Sequence, residues 1–133
     1  MDYQSLQADF STEKKRILIV EDNIESQLIF KVYLRQKYLV DIVATAEEGI
    51  QFIKNNEFDL ILLDINLPGE LNGVDVLNEI RSNLKFKELP VIVITAYALK
   101  GDKEKFLNIG ANDFIAKPIT KDTLIQEIEK FLN

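Results

Sequence analysis

Residues 58–68 read Phe-Asp-Leu-Ile-Leu-Leu-Asp-Ile-Asn-Leu-Pro, and this stretch constrains the fold more than any other. Leu60, Ile61, Leu62 and Leu63 run without interruption into the carboxylate of Asp64. A short unbroken apolar run closed by turn residues predicts a strand covered on both faces, as in a parallel sheet. Pro68 has no amide proton to give a ladder, so the strand ends before it. Asp64 therefore falls where a central strand leaves the core. In open α/β sheets, ligands sit in the crevice outside the carboxyl ends of the strands. A carboxylate is costly to bury there without a partner, so the position calls for a metal, a lysine or solvent. Taken alone, Asp64 reads better as an acid that caps the next loop; the rest of the chain reverses that.

The same pattern recurs along the chain. Arg16-Ile17-Leu18-Ile19-Val20 is a first buried strand, followed at once by Glu21-Asp22. Asn23 is a good N-cap for a helix over 24–37, with Leu28 and Val32, and Ile29 and Tyr33, at four-residue spacing. A second strand spans 39–44, and Thr45-Ala46-Glu47-Glu48 is a capping box opening a helix to about residue 55. The third strand spans 59–63. A loop over 67–73 leads to a helix with Val74, Leu77, Ile80 and Leu84 on one face. A fourth strand over 91–94 ends at Thr95-Ala96, and a charged helix over 100–109 stops at Gly110. Residues 113–116 form a short fifth strand, Lys117-Pro118 a turn, and Thr120 caps a last helix facing inward through Leu124, Ile128, Phe131 and Leu132. Five strands alternating with five helices predict an α/β domain, a parallel sheet covered on both faces. Residues 1–14 are polar and without period, a tail or linker ahead of one domain over 15–133.

Composition removes several classes of function. The chain has 133 residues with no cysteine and no histidine, which excludes thiol chemistry, a Ser-His-Asp triad and His-ligated metals. A net charge of −6 argues against direct binding of nucleic acid, which needs a basic face. No apolar run approaches membrane-spanning length and no signal peptide opens the chain, so the expectation is a cytoplasmic, soluble protein.

The strand ends carry the chemistry. Glu21 and Asp22, then Asp64, then Thr95, then Lys117 converge on one edge of such a sheet. Each has an ordinary structural explanation by itself; all four strand ends carrying polar or reactive groups by chance is improbable. Carboxylates about 4–6 Å apart repel by roughly 3–4 kcal/mol per pair at an effective dielectric of 20. A divalent cation relieves this, and an oxygen-only site with room for water and phosphate suits Mg²⁺. Beside such a cation Asp64 is a usable oxygen nucleophile toward a phosphoryl group, Lys117 offers a second positive charge, and Thr95 can donate to a phosphoryl oxygen.

Val20-Glu21-Asp22-Asn23, Leu63-Asp64-Ile65-Asn66-Leu67-Pro68, Ile94-Thr95-Ala96 and Phe114-Ile115-Ala116-Lys117-Pro118 together resemble the response-regulator receiver domain of two-component signalling (the CheY-like superfamily). The resemblance implies a flavodoxin-like (βα)5 fold, a doubly wound parallel sheet in the order 2-1-3-4-5. It implies that Asp64 is the phosphoacceptor, that Glu21, Asp22 and Asp64 hold Mg²⁺ with the backbone carbonyl of Asn66, and that Thr95 and Lys117 sense the phosphoryl group. Phe114 matches an aromatic that changes rotamer with Thr95, and the Lys117–Pro118 bond is cis in the family. Asn66 and Tyr97, two positions beyond Asp64 and Thr95, are expected to tune phosphoryl lifetime. The partners implied are a histidine kinase or histidine phosphotransfer protein and a downstream protein met by the face over 100–132. Two departures stand out. The loop between Pro68 and Gly73 is one residue longer than the common pattern. Glu127 stands where receivers joined to DNA-binding domains carry arginine, so the resemblance does not extend to their dimer mode.

The expected role is a switch and not a turnover enzyme, either a stand-alone regulator or the receiver of a hybrid kinase, with no effector domain after the last helix. A Mg²⁺-dependent aspartyl-phosphate phosphatase would want a second aspartate where Asn66 stands. A flavin- or nucleotide-binding module would want a glycine- or hydroxyl-rich first loop in place of Glu21-Asp22-Asn23. An inactive docking receiver would not need the whole constellation.

Overall fold

The structure, a computed structural model, describes residues 14–132. Ten elements alternate in sequence: β1 (Arg16–Val20), α1 (Ile24–Leu34), β2 (Leu39–Val43), α2 (Ala46–Asn55), β3 (Leu60–Asp64), α3 (Gly73–Ser82), β4 (Val91–Thr95), α4 (Asp102–Ile109), β5 (Asp113–Ala116) and α5 (Lys121–Leu132). The five strands form one parallel sheet in the order β2-β1-β3-β4-β5, the flavodoxin-like arrangement. Apart from Lys14, the tail read at 1–14 lies outside the described residues.

The apolar runs bury as their sequence requires. Every residue of β3 and β4 is buried, as are the last four of β1, so alternate side chains feed two separate cores. Leu18, Val20, Ile61, Leu63, Val91 and Val93 meet α2, α3 and α4 on one side; Ile17, Ile19, Leu60, Leu62, Ile92 and Ile94 meet α1 and α5 on the other. β3 lies between β1 and β4, with Val20 opposite Leu63 and Asp64 opposite Ile94. That register delivers Glu21, Asp64 and Thr95 to the same edge.

Several helix ends behave as their cap residues dictate. The side chains of Asn23 and Thr45 accept from Ser26 N and Glu48 N, and Thr120 Oγ1 accepts from Thr123 N. A capping box at Asn72–Asp75 opens α3, a signal the sequence reading passed over. Three expectations need correction. Helix α1 ends at Leu34, not at residue 37, because Tyr38 turns inward and its amide and that of Lys37 both return to Leu34 O. The face of α1 is also different: Leu28, Ile29 and Val32 are exposed, and the buried pair is Phe30 and Leu34. With apolar residues around the whole of α1, spacing alone cannot choose the inner face. Leu84 lies beyond the end of α3 and is 84% exposed, while Val76 takes the buried place beside Leu77 and Ile80.

The loop from β3 to α3 folds back on the strand that precedes it. Gly73 N donates to Ile65 O at 3.2 Å, and a Cβ on Gly73 would stand 2.6 Å from both Asp64 O and Ile65 Cα. These neighbours are backbone and cannot swing away, so only glycine lets the loop close beneath Asp64. Gly73→Ala is expected to destabilise the fold by about 1–3 kcal/mol, a cost of the overpacking kind. Urea unfolding of the two proteins checks this; an unchanged midpoint would show that the loop can open without cost.

Candidate functional site

Four strand ends and the loops that leave them build the site. Glu21 follows β1, Asp64 ends β3, Thr95 ends β4, and Lys117 follows β5. The expected residues Glu21, Asp22, Asp64, Asn66, Tyr97 and Lys117 line one cavity of about 370 Å³, joined by Asn23, Ser26 and Ala96. Thr95 is placed differently: it is 1% exposed and lies behind the cavity wall.

Charge organises this edge. Lys117 Nζ stands 2.6 Å from Glu21 Oε1 and 3.6 Å from Asp64 Oδ2, and hydrogen-bonds Ser26 Oγ at 3.2 Å. Glu21 is buried, and its other oxygen accepts from Asn23 N at 3.0 Å. The side chain of Gln27 donates to Glu21 O at 2.6 Å, fastening the first turn of α1 to the end of β1. Asp64 Oδ1 accepts from Asn66 N at 2.9 Å. The Lys117–Pro118 bond is cis.

One lysine faces three acids. Glu21, Asp22 and Asp64 each offer an oxygen, all within 4.8 Å of one another, and Asp22 is exposed. Burial lifts the Asp64 carboxyl from an ordinary 3.8 to about 6; the Glu21 charge pushes the same way, while the Asn66 amide and Lys117 pull back. The protein alone thus undercompensates the negative charge here. Three hard oxygens in a partly open cleft are a set that can hold a divalent cation.

Thr95 carries a link that residue spacing did not suggest. Its hydroxyl oxygen accepts from the Asn66 side-chain amide at 2.8 Å and from Tyr97 N at 3.2 Å. Asn66 therefore touches both Asp64, through its backbone, and Thr95, through its side chain. Ser26 and Asn23 were also missed as site residues; their signal is the turn that caps α1 beside Glu21. Tyr97 lines the cavity while remaining largely exposed, so its ring stands at the mouth.

The folded protein keeps a proton on Asp64 up to about pH 6, whereas the unfolded chain releases it near 3.8. Between those values the folded state binds more protons, so the Asp64 contribution to stability falls as pH rises through the window. In metal-free buffer Asp64→Asn should be more stable than the parent at pH 7, with the gap closing toward pH 4. Denaturant midpoints across that range check it; a gap independent of pH would refute the assignment of the shift.

A family model described as "Response regulator receiver domain" matches residues 17–129. The chain is 37% identical over 139 aligned positions to hybrid signal transduction histidine kinase B of Dictyostelium discoideum, covering 95% of this chain but only 7% of that protein. It is 32% identical over 119 positions to the polar-differentiation response regulator DivK of Brucella ovis, covering 89% of this chain and 96% of that one. The receiver domain of sensor histidine kinase PA1611 from Pseudomonas aeruginosa, solved with a magnesium ion coordinated in its active-site cleft, superposes with a TM-score of 0.82 at 34% identity, over 90% of this chain and 98% of that one.

Proposed function

The chain belongs to the response regulator receiver domain family, and from that premise we propose that it accepts a phosphoryl group on Asp64 from a phosphohistidine donor, a histidine kinase or a histidine phosphotransfer protein. Receiver domains of two-component systems are signalling domains, and this one is read as promoting only its own phosphorylation and dephosphorylation, in the cytoplasm, with 15–133 as the receiver and 1–14 as a tail. Both a hybrid kinase and a regulator of about this length are among its relatives.

The observation that carries the reading is the position of Asp64. Its carboxylate ends a fully buried strand, is 8% exposed, and opens onto a cleft shared with two further acids and Lys117. A carboxylate oxygen of Asp64 attacks phosphorus; the P–O bond forms as the donor's P–N bond breaks, and the imidazole leaves with the electron pair. Glu21, Asp22 and Asp64, with the carbonyl of Asn66, would hold Mg²⁺, which when bound would neutralise charge on the phosphoryl oxygens; a neighbour at 34% identity was solved with magnesium in its active-site cleft. Lys117 adds a fixed positive charge. Thr95 trades the Asn66 amide for a phosphoryl oxygen and swings toward Asp64, and Phe114 takes up the space it leaves. The face made by α4, β5 and α5 then changes, and a downstream protein reads it. On that face Glu127 is bonded to Lys130 of its own helix at 2.9 Å, an arrangement unlike the arginine-based pairing of DNA-binding relatives.

Acetyl phosphate with Mg²⁺ is expected to add one phosphoryl mass to the intact protein and none to Asp64→Asn. Persistence of the mass gain in that variant would overturn the assignment. Asp22→Ala should lose most Mg²⁺ affinity, by at least about tenfold, since one of three anionic donors goes; titration calorimetry reads this directly, and an unchanged isotherm counts against the metal set. Tyr97→Ala should shorten the aspartyl-phosphate half-life by opening the path of attacking water. A half-life equal to or longer than the parent's would show that the ring does not shield the site.

A further inference from the structure

Helix α4 is held to the domain unevenly. Its N-cap, Gly101, has a left-handed backbone (φ +89°) and no side-chain cap. Its far end is knotted. Arg81 of α3 donates through Nε to Gly110 O at 2.8 Å, through Nη1 to Leu89 O at 2.7 Å and through Nη2 to Asn112 Oδ1 at 2.7 Å. That same Asn112 oxygen accepts from Val91 N at 2.8 Å, so one guanidinium ties α3, the start of β4 and the turn between α4 and β5 together. Gly110 (φ +129°) lies so close under the Arg81 stem that a Cβ there would meet Arg81 Cγ at 2.9 Å. The start of α4 is tied within its own loop, where Asp102 Oδ2 accepts from Leu99 N at 2.8 Å and Asp102 N donates to Leu99 O at 3.0 Å, so the fastening to α3 and β4 lies at the far end.

Phe106 is the one fully buried side chain of α4, and Ile109, half-buried at the pinned end, packs against the same core. The Phe106 ring stacks on Phe114 of β5, with centroids 5.7 Å apart and planes 8° from parallel. Lys105 Nζ stands 5.3 Å from the centre of the same ring, and Phe106 O accepts the amides of Gly110 and Ala111 in the knotted turn. Phe114 cannot change rotamer without breaking its ring-on-ring contact with the fully buried side chain of α4. Packed cores answer such a change by switching between discrete arrangements and not by deforming smoothly.

We propose that Phe106 is a positioning residue that makes the rotamer of Phe114 and the position of α4 one mechanical unit, with the Arg81 knot as its pivot. The inference rests on the phosphoacceptor reading only for what drives Phe114; the coupling itself belongs to the unmodified fold. An aliphatic side chain at 106 fills the core but offers no face to stack on, so Phe114 turns without moving α4.

Two measurements on the full chain test this. In the unphosphorylated protein, Phe106→Leu and Phe114→Leu should each speed amide exchange across 102–109 by about five- to tenfold, the scale of a lost aromatic pair. Because both remove the same contact, the double variant should exchange no faster than the faster single one; effects that multiply would overturn the coupling. In the second measurement, beryllofluoride and Mg²⁺ are added, with binding followed by fluorine NMR. Protection across 102–109 should change in the parent and in Phe106→Tyr, which keeps the stack. It should not change in Phe106→Leu or in Phe106→Met, which is apolar and of similar volume, although all four bind beryllofluoride. A parental response in the Leu or Met variant overturns the proposal. Should the parent itself bind no beryllofluoride, the phosphoacceptor reading fails, and the unliganded comparison still decides the coupling.

Discussion

The contact between Lys117 and Glu21 closes the carboxyl edge of the sheet. In the strand order β2-β1-β3-β4-β5, these residues leave β5 and β1, so their 2.6 Å contact spans the two strands between, and Asp64 sits in its path. Both side chains are largely buried, at 16% and 2% exposure. Desolvation offsets much of the attraction in such a pair, so it is weak evidence for net stability. Removing one partner is another matter, because the other is left charged and buried, typically at about 3–5 kcal/mol. The pair therefore enforces an arrangement more than it strengthens the fold. It keeps the loop after β1 and the loop after β5 on either side of the carboxylate they serve.

That arrangement leaves a deficit of positive charge. One ammonium faces Glu21 and Asp64, with Asp22 beside them. Burial is the main cause that lifts the Asp64 carboxyl toward 6, and the charge of Glu21 adds to it against the pull of the Asn66 amide and Lys117. The fold tolerates this deficit because the centre of the sheet is thoroughly apolar: β3 and β4 have no exposed residue. The buried acids Glu21 and Asp64 lie at the edge where a ligand can relieve their repulsion.

Most of this was legible in the chain because it follows from strands. An unbroken run such as Leu60–Leu63 buries on both faces whatever surrounds it, and the polar residue that ends it must lie at the sheet's edge. Glu21, Asp64, Thr95 and Lys117 were found that way, and so was the order of elements. Helices were less legible for an equally physical reason. Helix α1 is apolar around its whole circumference, so Leu28 and Val32 were as plausible inward as Phe30 and Leu34. Contacts between side chains distant in sequence left no trace at all: the Asn66 amide on Thr95, 29 residues away, and the Arg81 knot with Asn112, 31 residues away, depend on where loops meet.

The unexpected face of α1 has a bearing on how the protein behaves in bulk. Ile24, Leu28 and Val32, at four-residue spacing, with Ile29 beside them, expose an oily stripe to water. Monomers seldom leave such a stripe bare without consequence. Against contact between two copies stands their shared net charge of −6, a repulsion that acid removes and salt screens. Self-association through this stripe is therefore opposed most in dilute neutral buffer and least at high salt or near the isoelectric pH.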